Sequence, residues 1–95
     1  MIEREQVRAA RALLGWSQSD LSNRSGIGRR TLMNFENGLT HPMDVTLQRI
    51  EEVLKAAGVQ MTRSRDGSIG VLLSYESFLE GRARRHIEHL GSDGE

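Results

Sequence analysis

Two adjacent arginines, Arg29 and Arg30, are followed one helical turn later by Asn34. Arginine can donate two hydrogen bonds to O6 and N7 of guanine, and asparagine can pair in the same way with N6 and N7 of adenine. Each such pair discriminates between base pairs by ~1–3 kcal/mol. A helix that exposes these three side chains could therefore read base edges in the major groove. An ordinary solvated arginine face is the alternative.

Two short helices around a glycine turn would position these side chains. Ser17 and Asp20, three residues apart, are typical of a capping box at the start of the first helix. Gly26 opens the turn at 26–28, because glycine accepts a positive φ at little cost. The second helix is predicted over about 29–37, where its first turn carries both arginines.

The other elements follow from apolar periodicity and turn signals. Asp66-Gly67 is a strong hairpin signal. The remaining elements are predicted as helices over 3–14 and 45–57, strands over 59–62 and 68–73, and a last helix over about 75–90. The fold class is thus mainly α: a four- to five-helix domain with a C-terminal β-hairpin and a further helix.

Length, charge and composition limit the function classes. The chain has 95 residues, no cysteine and a net charge of +0. Disulfides and cysteine chemistry are excluded. Residues 1–40 hold six arginines against four acids, whereas residues 41–95 hold seven bases against nine acids. The small positive excess thus lies with the arginine pair. The charged N-terminus has no apolar run behind it, so we expect no signal peptide and a cytoplasmic protein.

The sequence contains no set of residues that supports catalysis or metal binding. Gly26-Ile27-Gly28 is a turn without a phosphate-loop pattern, and no nucleophile has a credible base beside it. His86 and His89 are three residues apart, but no cysteine or third ligand is near them in sequence. We therefore expect no enzyme, no metal site, no cofactor and no small-molecule ligand.

Residues 4–57 resemble the Cro/repressor type of helix-turn-helix, the XRE family of prokaryotic regulators. The matching residues are Arg8, Arg11, Leu14-Gly15-Trp16-Ser17-Gln18, Leu21-Ser22, Ser25-Gly26-Ile27, Thr31-Leu32, Phe35-Glu36-Asn37-Gly38, Pro42 and Thr46-Leu47. The resemblance implies a lambda-repressor-like domain over residues 1–58 that binds double-stranded DNA. Residues 59–91 lie outside the matched domain and are predicted as a dimerisation extension, with a disordered tail over 92–95.

The resemblance also implies roles for individual residues. Gln18 would touch phosphate and brace the second helix, and Asn37 would contact phosphate from the loop that follows. Arg11 and Glu36 stand where members often carry a structural ion pair. The implied DNA-binding residues are Gln18, Arg29, Arg30, Thr31, Asn34 and Asn37, with weaker claims for Met33 and Trp16. Met33 replaces a more usual polar residue, and Trp16 is more typical of a wedge beneath the first helix of the motif.

Two functions remain open. The first is a sequence-specific transcriptional regulator, a repressor, that reads an inverted-repeat operator as a homodimer. The second is a protein-binding module, an antiactivator or antitoxin, that regulates another transcription factor or a toxin. We expect residues 1–58 to fold alone as a monomer, because the dimer surface is predicted beyond them. The predicted dimer residues are Ile69, Val71, Leu73, Phe78, Leu79 and Ile87.

Overall fold

Five helices and a two-stranded antiparallel hairpin make up the described part of the chain, which confirms the predicted fold class. A computed structural model describes the backbone of residues 1–93 and the side chains of residues 1–84. The elements, in chain order, are α1 (Arg4–Leu14), α2 (Gln18–Ser25), α3 (Arg29–Glu36), α4 (Asp44–Ala56), β1 (Val59–Arg63), β2 (Ile69–Leu73) and α5 (Tyr75–Asp93).

The predicted capping box and turn define the helix pair α2 and α3. The Asp20 amide donates to Ser17 Oγ at 3.0 Å, and the Ser17 amide donates to Asp20 Oδ2 at 2.8 Å. Gly26 has a φ of 74°, a left-handed conformation that favours glycine. The Ser22 hydroxyl closes the turn by donating to the Ile27 carbonyl at 2.6 Å. These bonds fix the direction in which α3 leaves the turn.

The core lies between the inner sides of the first four helices. Apolar side chains recur on each helix at a spacing that places them on one side. The buried apolar residues are Ile2, Val7, Ala10, Leu21, Leu32, Phe35, Leu47, Ile50, Leu54 and Val59. Since Val59 belongs to the hairpin, the core extends past the boundary that the sequence predicts at residue 58.

The hairpin packs on the helices of its own chain, chiefly α1 and α4. Val59 pairs with Leu73 and Met61 with Val71, so these four side chains share one face. Met61, Val71 and Leu73 are half-buried against the core. Val71 and Leu73, which the sequence predicts as dimer contacts, are therefore largely covered by their own chain, whereas Ile69, Phe78 and Leu79 of the same prediction stay exposed.

A buried glutamine joins α1 to the hairpin. Gln6 Nε2 donates to the carbonyl oxygens of Thr62 at 3.0 Å and Gly70 at 2.9 Å, and its Oε1 accepts from the Glu3 amide at 2.9 Å. Thr62 and Gly70 are ladder partners, so one side chain contacts both strands. The hairpin is thereby fixed to the first helix, a link that the sequence analysis missed.

The last helix is longer than predicted. α5 runs to Asp93, past the predicted end near residue 90 and into the segment over 92–95 that was predicted as a disordered tail. Residues 94 and 95 lie outside the described part of the chain. The side chains of Ile87, His86 and His89 also lie outside it.

Candidate nucleic-acid interface

One side of α3 is exposed and the other is buried. Leu32, Phe35 and Glu36 face the interior, with exposed fractions of 5% or less. The exposed side, here called the reading face, consists of Arg29, Arg30, Thr31 and Met33. The sequence predicts Arg29, Arg30 and Thr31 as DNA-binding residues, and these three lie together at the N-terminal end of the helix. This is the end that a recognition helix inserts into the major groove.

The two arginines of the reading face are held differently. Arg29 Nη1 donates to Ser19 Oγ at 3.0 Å, so this guanidinium leans back towards α2. Arg30 is exposed and makes no hydrogen bond to another side chain within residues 1–84. Arg30 is therefore the less constrained of the two guanidinium groups, whereas Arg29 is held towards α2.

The predicted ion pair between Arg11 and Glu36 is present in the structure and holds the buried side of α3 against α1. Arg11 Nε lies 3.0 Å from Glu36 Oε2, and Arg11 Nη2 lies 2.6 Å from Glu36 Oε1. The Glu36 side chain is only 1% exposed, and the Arg11 side chain is 18% exposed. Two parallel bonds from a guanidinium fork restrict orientation as well as distance. The reading face is thus set at a fixed angle to α1.

Gln18 belongs to the same network. Its Nε2 donates to Glu36 Oε1 at 3.3 Å, from the first residue of α2. The brace predicted for Gln18 is thus seen in the structure, with the amide turned inward. If the Gln18 side chain also contacted a phosphate, its amide would have to bond to Glu36 and to the phosphate at once. The backbone N–H groups at the start of α2 also suit a phosphate.

Arg8 has a role that the sequence analysis missed. Its Nη1 donates to the Glu36 carbonyl at 2.9 Å, at the last residue of α3. A cation at this position satisfies one of the terminal carbonyls and opposes the negative end of the helix dipole. The available signal was the spacing of Arg4, Arg8 and Arg11, which places them on one side of α1.

Asn34 and Asn37 lie near the end of α3 and its loop. Asn37 is exposed at the C-cap, whereas Asn34 is half-buried. The Asn34 carbonyl accepts from the Leu39 amide at 2.8 Å, which folds the loop back over the helix. Asn37 thus stays exposed beside the folded-back loop, and Asn34 stands at the edge of the reading face.

Trp16 and Met33 carried the weaker predictions. Trp16 is half-buried, and the Arg24 guanidinium lies 4.4 Å from its ring centroid. The ring also lines a groove between the end of α1 and Phe78 of α5. These contacts favour a packing role for Trp16. Met33 is 41% exposed on the reading face.

The fold and the matched residues define the class of protein. The helix-turn-helix family model matches residues 7–57, more than half of the chain. The protein therefore belongs to the XRE-type helix-turn-helix family of DNA-binding transcription regulators. Its members are typically not enzymes. No curated protein is similar enough to the chain to count as a match. Over the residues described, every helix is too short or too polar to cross a bilayer.

Proposed function

We propose that the protein is a cytoplasmic repressor that reads an inverted-repeat operator as a homodimer. The observation that carries the proposal is the reading face: Arg30 and Thr31 are exposed at the start of α3, and a buried ion pair fixes that helix from behind. Because the ion pair already holds α3 in place, little conformational entropy is lost when its exposed residues bind DNA.

The proposed dimer uses the apolar residues that the chain itself leaves exposed. These lie on the outer side of the hairpin and along the first turns of α5: Leu72, Tyr75, Phe78 and Leu79, with exposed fractions from 37% to 73%. Ile69 is 39% exposed, but it lies on the face of β2 that carries Val71 and Leu73, opposite Leu72, so it is left out of this surface. A two-fold partner would cover both elements at once. Each protomer would then present its α3 to a half-site about one DNA turn, ~34–36 Å, from the other.

The test is selection of bound sequences from a random DNA pool at fixed, moderate salt. The proposal expects an enriched inverted repeat whose half-sites are one helical turn apart. Enrichment of a single, non-repeated site would contradict the dimer. A chain that retains no DNA above background would contradict the proposed function as a whole, and would favour the protein-binding alternative.

A further inference from the structure

Three arginines form a stripe along α1, and each of them meets the C-terminal end of α3. This stripe, here called the α1 arginine stripe, consists of Arg4, Arg8 and Arg11. Arg11 binds the Glu36 carboxylate, and Arg8 binds the Glu36 carbonyl. Arg4 lies one turn further, against Gly38 in the loop after α3. The stripe therefore runs from the buried ion pair out to the exposed loop.

Gly38 is what lets Arg4 approach the loop. A Cβ at position 38 would collide with the Arg4 guanidinium, and the φ of 76° there also favours glycine. Arg4, Gly38 and His41 line one open groove between the start of α1 and the loop. Asn37, the predicted phosphate contact, is exposed immediately before this glycine. The Arg4 guanidinium thus lies against the residue that follows Asn37 in the chain.

The charge at this surface depends on the stripe. The C-terminal end of α3 carries the negative end of its dipole, which by itself repels a phosphate. Arg11 is neutralised by the buried Glu36. Arg8 uses one Nη on a neutral carbonyl and keeps its charge. Arg4 pairs with Glu5 at 3.2 Å, but both side chains are about half exposed, and such pairs are weak in water.

We infer that Arg4 and Arg8 bind the DNA phosphate backbone beside Asn37, so that the interface extends from α3 onto α1. This inference rests on the proposed DNA binding and adds a second anchoring surface to it. Phosphate contacts position a protein without reading sequence. The two arginines therefore contribute affinity to every DNA sequence and leave the discrimination between operators to the reading face.

The test compares Arg4→Ala with Arg65→Ala in the full-length chain. Arg65 is an exposed arginine in the hairpin loop, away from α3, and serves as the matched control. Affinity for the selected operator and for a scrambled duplex is measured over a series of salt concentrations. Arg4→Ala is expected to weaken both complexes several-fold and by the same factor. Its slope of log K against log salt should be shallower by ~0.9, the value for one lost phosphate contact. Arg8→Lys, which keeps the charge, should leave the slope unchanged.

Three outcomes would overturn the inference. If Arg4→Ala binds both duplexes with the affinity and salt slope of Arg65→Ala, Arg4 does not contact phosphate. The proposed function would then be unaffected. A loss of affinity with an unchanged salt slope, or with a lowered melting temperature, would assign Arg4 a structural role. A wild-type chain that binds neither duplex would overturn this inference and the proposed function together.

Discussion

Arg11 and Glu36 face each other across the interior, with two parallel hydrogen bonds of 3.0 and 2.6 Å between guanidinium and carboxylate. This relationship joins the first helix to the helix that carries the reading face. Gln18 bonds to the same carboxylate from the start of α2. Three helices therefore meet at one buried carboxylate, and the orientation of α3 depends on it.

Arg11→Met is expected to lower the free energy of unfolding by ~3–5 kcal/mol, because it leaves the Glu36 carboxylate buried and without its cation. The double variant Arg11→Met/Glu36→Leu should recover much of this loss, since neither charge remains. Urea unfolding monitored by circular dichroism measures both. Arg65→Met is the control, and an Arg11→Met cost no larger than that of Arg65→Met would contradict the structural role.

Gln6→Ala is expected to lower the free energy of unfolding by ~1–3 kcal/mol, because the Glu3 amide and the two strand carbonyls lose a buried partner. Gln60→Ala is the matched control, since Gln60 lies exposed on β1. The two variants are compared by urea unfolding. Equal costs would show that Gln6 does not hold the hairpin to α1.

A chain ending at Gly58 is expected to be destabilised, which reverses the prediction from sequence that residues 1–58 fold alone. Val59 fills part of the core, and Gln6 would lose both strand carbonyls. The truncated chain should therefore show a broad or much lower thermal transition than the full-length chain. A cooperative transition at the full-length melting temperature would restore the earlier prediction.

Leu79→Glu is expected to convert a dimer into monomers, because it introduces a charge into the exposed apolar surface of α5. Sedimentation equilibrium at micromolar protein concentration measures the change. Val45→Glu is the control, since Val45 is exposed on α4, away from that surface. A wild-type chain that is already monomeric would contradict the proposed dimer.

Acid should weaken the hairpin loop through Asp66. Hydrogen bonds from Ser64 and Ser68 lower the pKa of Asp66 to about 2. A carboxyl group whose pKa falls on folding adds stability above its unfolded pKa of ~3.9 and loses it as the pH falls through its folded value. NMR titration of the Asp66 carboxyl carbon measures that pKa, and Ser64→Ala should raise it. A wild-type pKa in the ordinary range would contradict the loop geometry.

The helices and the reading face could be predicted because their signals are local. Ser17 with Asp20 and the glycine at position 26 mark the motif within a few residues, and Leu32 and Phe35 set which side of α3 is buried. The partners of Gln6 could not be predicted, since they lie more than fifty residues away in sequence. For the same reason the alternation in β2 revealed a buried face but not what covers it.

The contacts of the arginines also could not be predicted from the sequence. Their types and their spacing on α1 and α3 are visible in the sequence, but the direction of each guanidinium depends on tertiary contacts. Arg29 leans on Ser19, and Arg8 reaches the end of α3. Neither contact leaves a mark in local periodicity. A charged stripe on one helix therefore indicates a surface, and only the fold says which other element that surface meets.

Selection from a random DNA pool, carried out in parallel with the wild-type chain and Arg30→Ala, tests the central claim most directly. The account predicts that the wild type enriches an inverted repeat. Arg30→Ala should lose its preference at particular positions of each half-site, by ~1–3 kcal/mol per base pair, while it stays folded and keeps its affinity for scrambled DNA. The same motif enriched by both proteins with equal strength, or no motif enriched by either, would contradict the account.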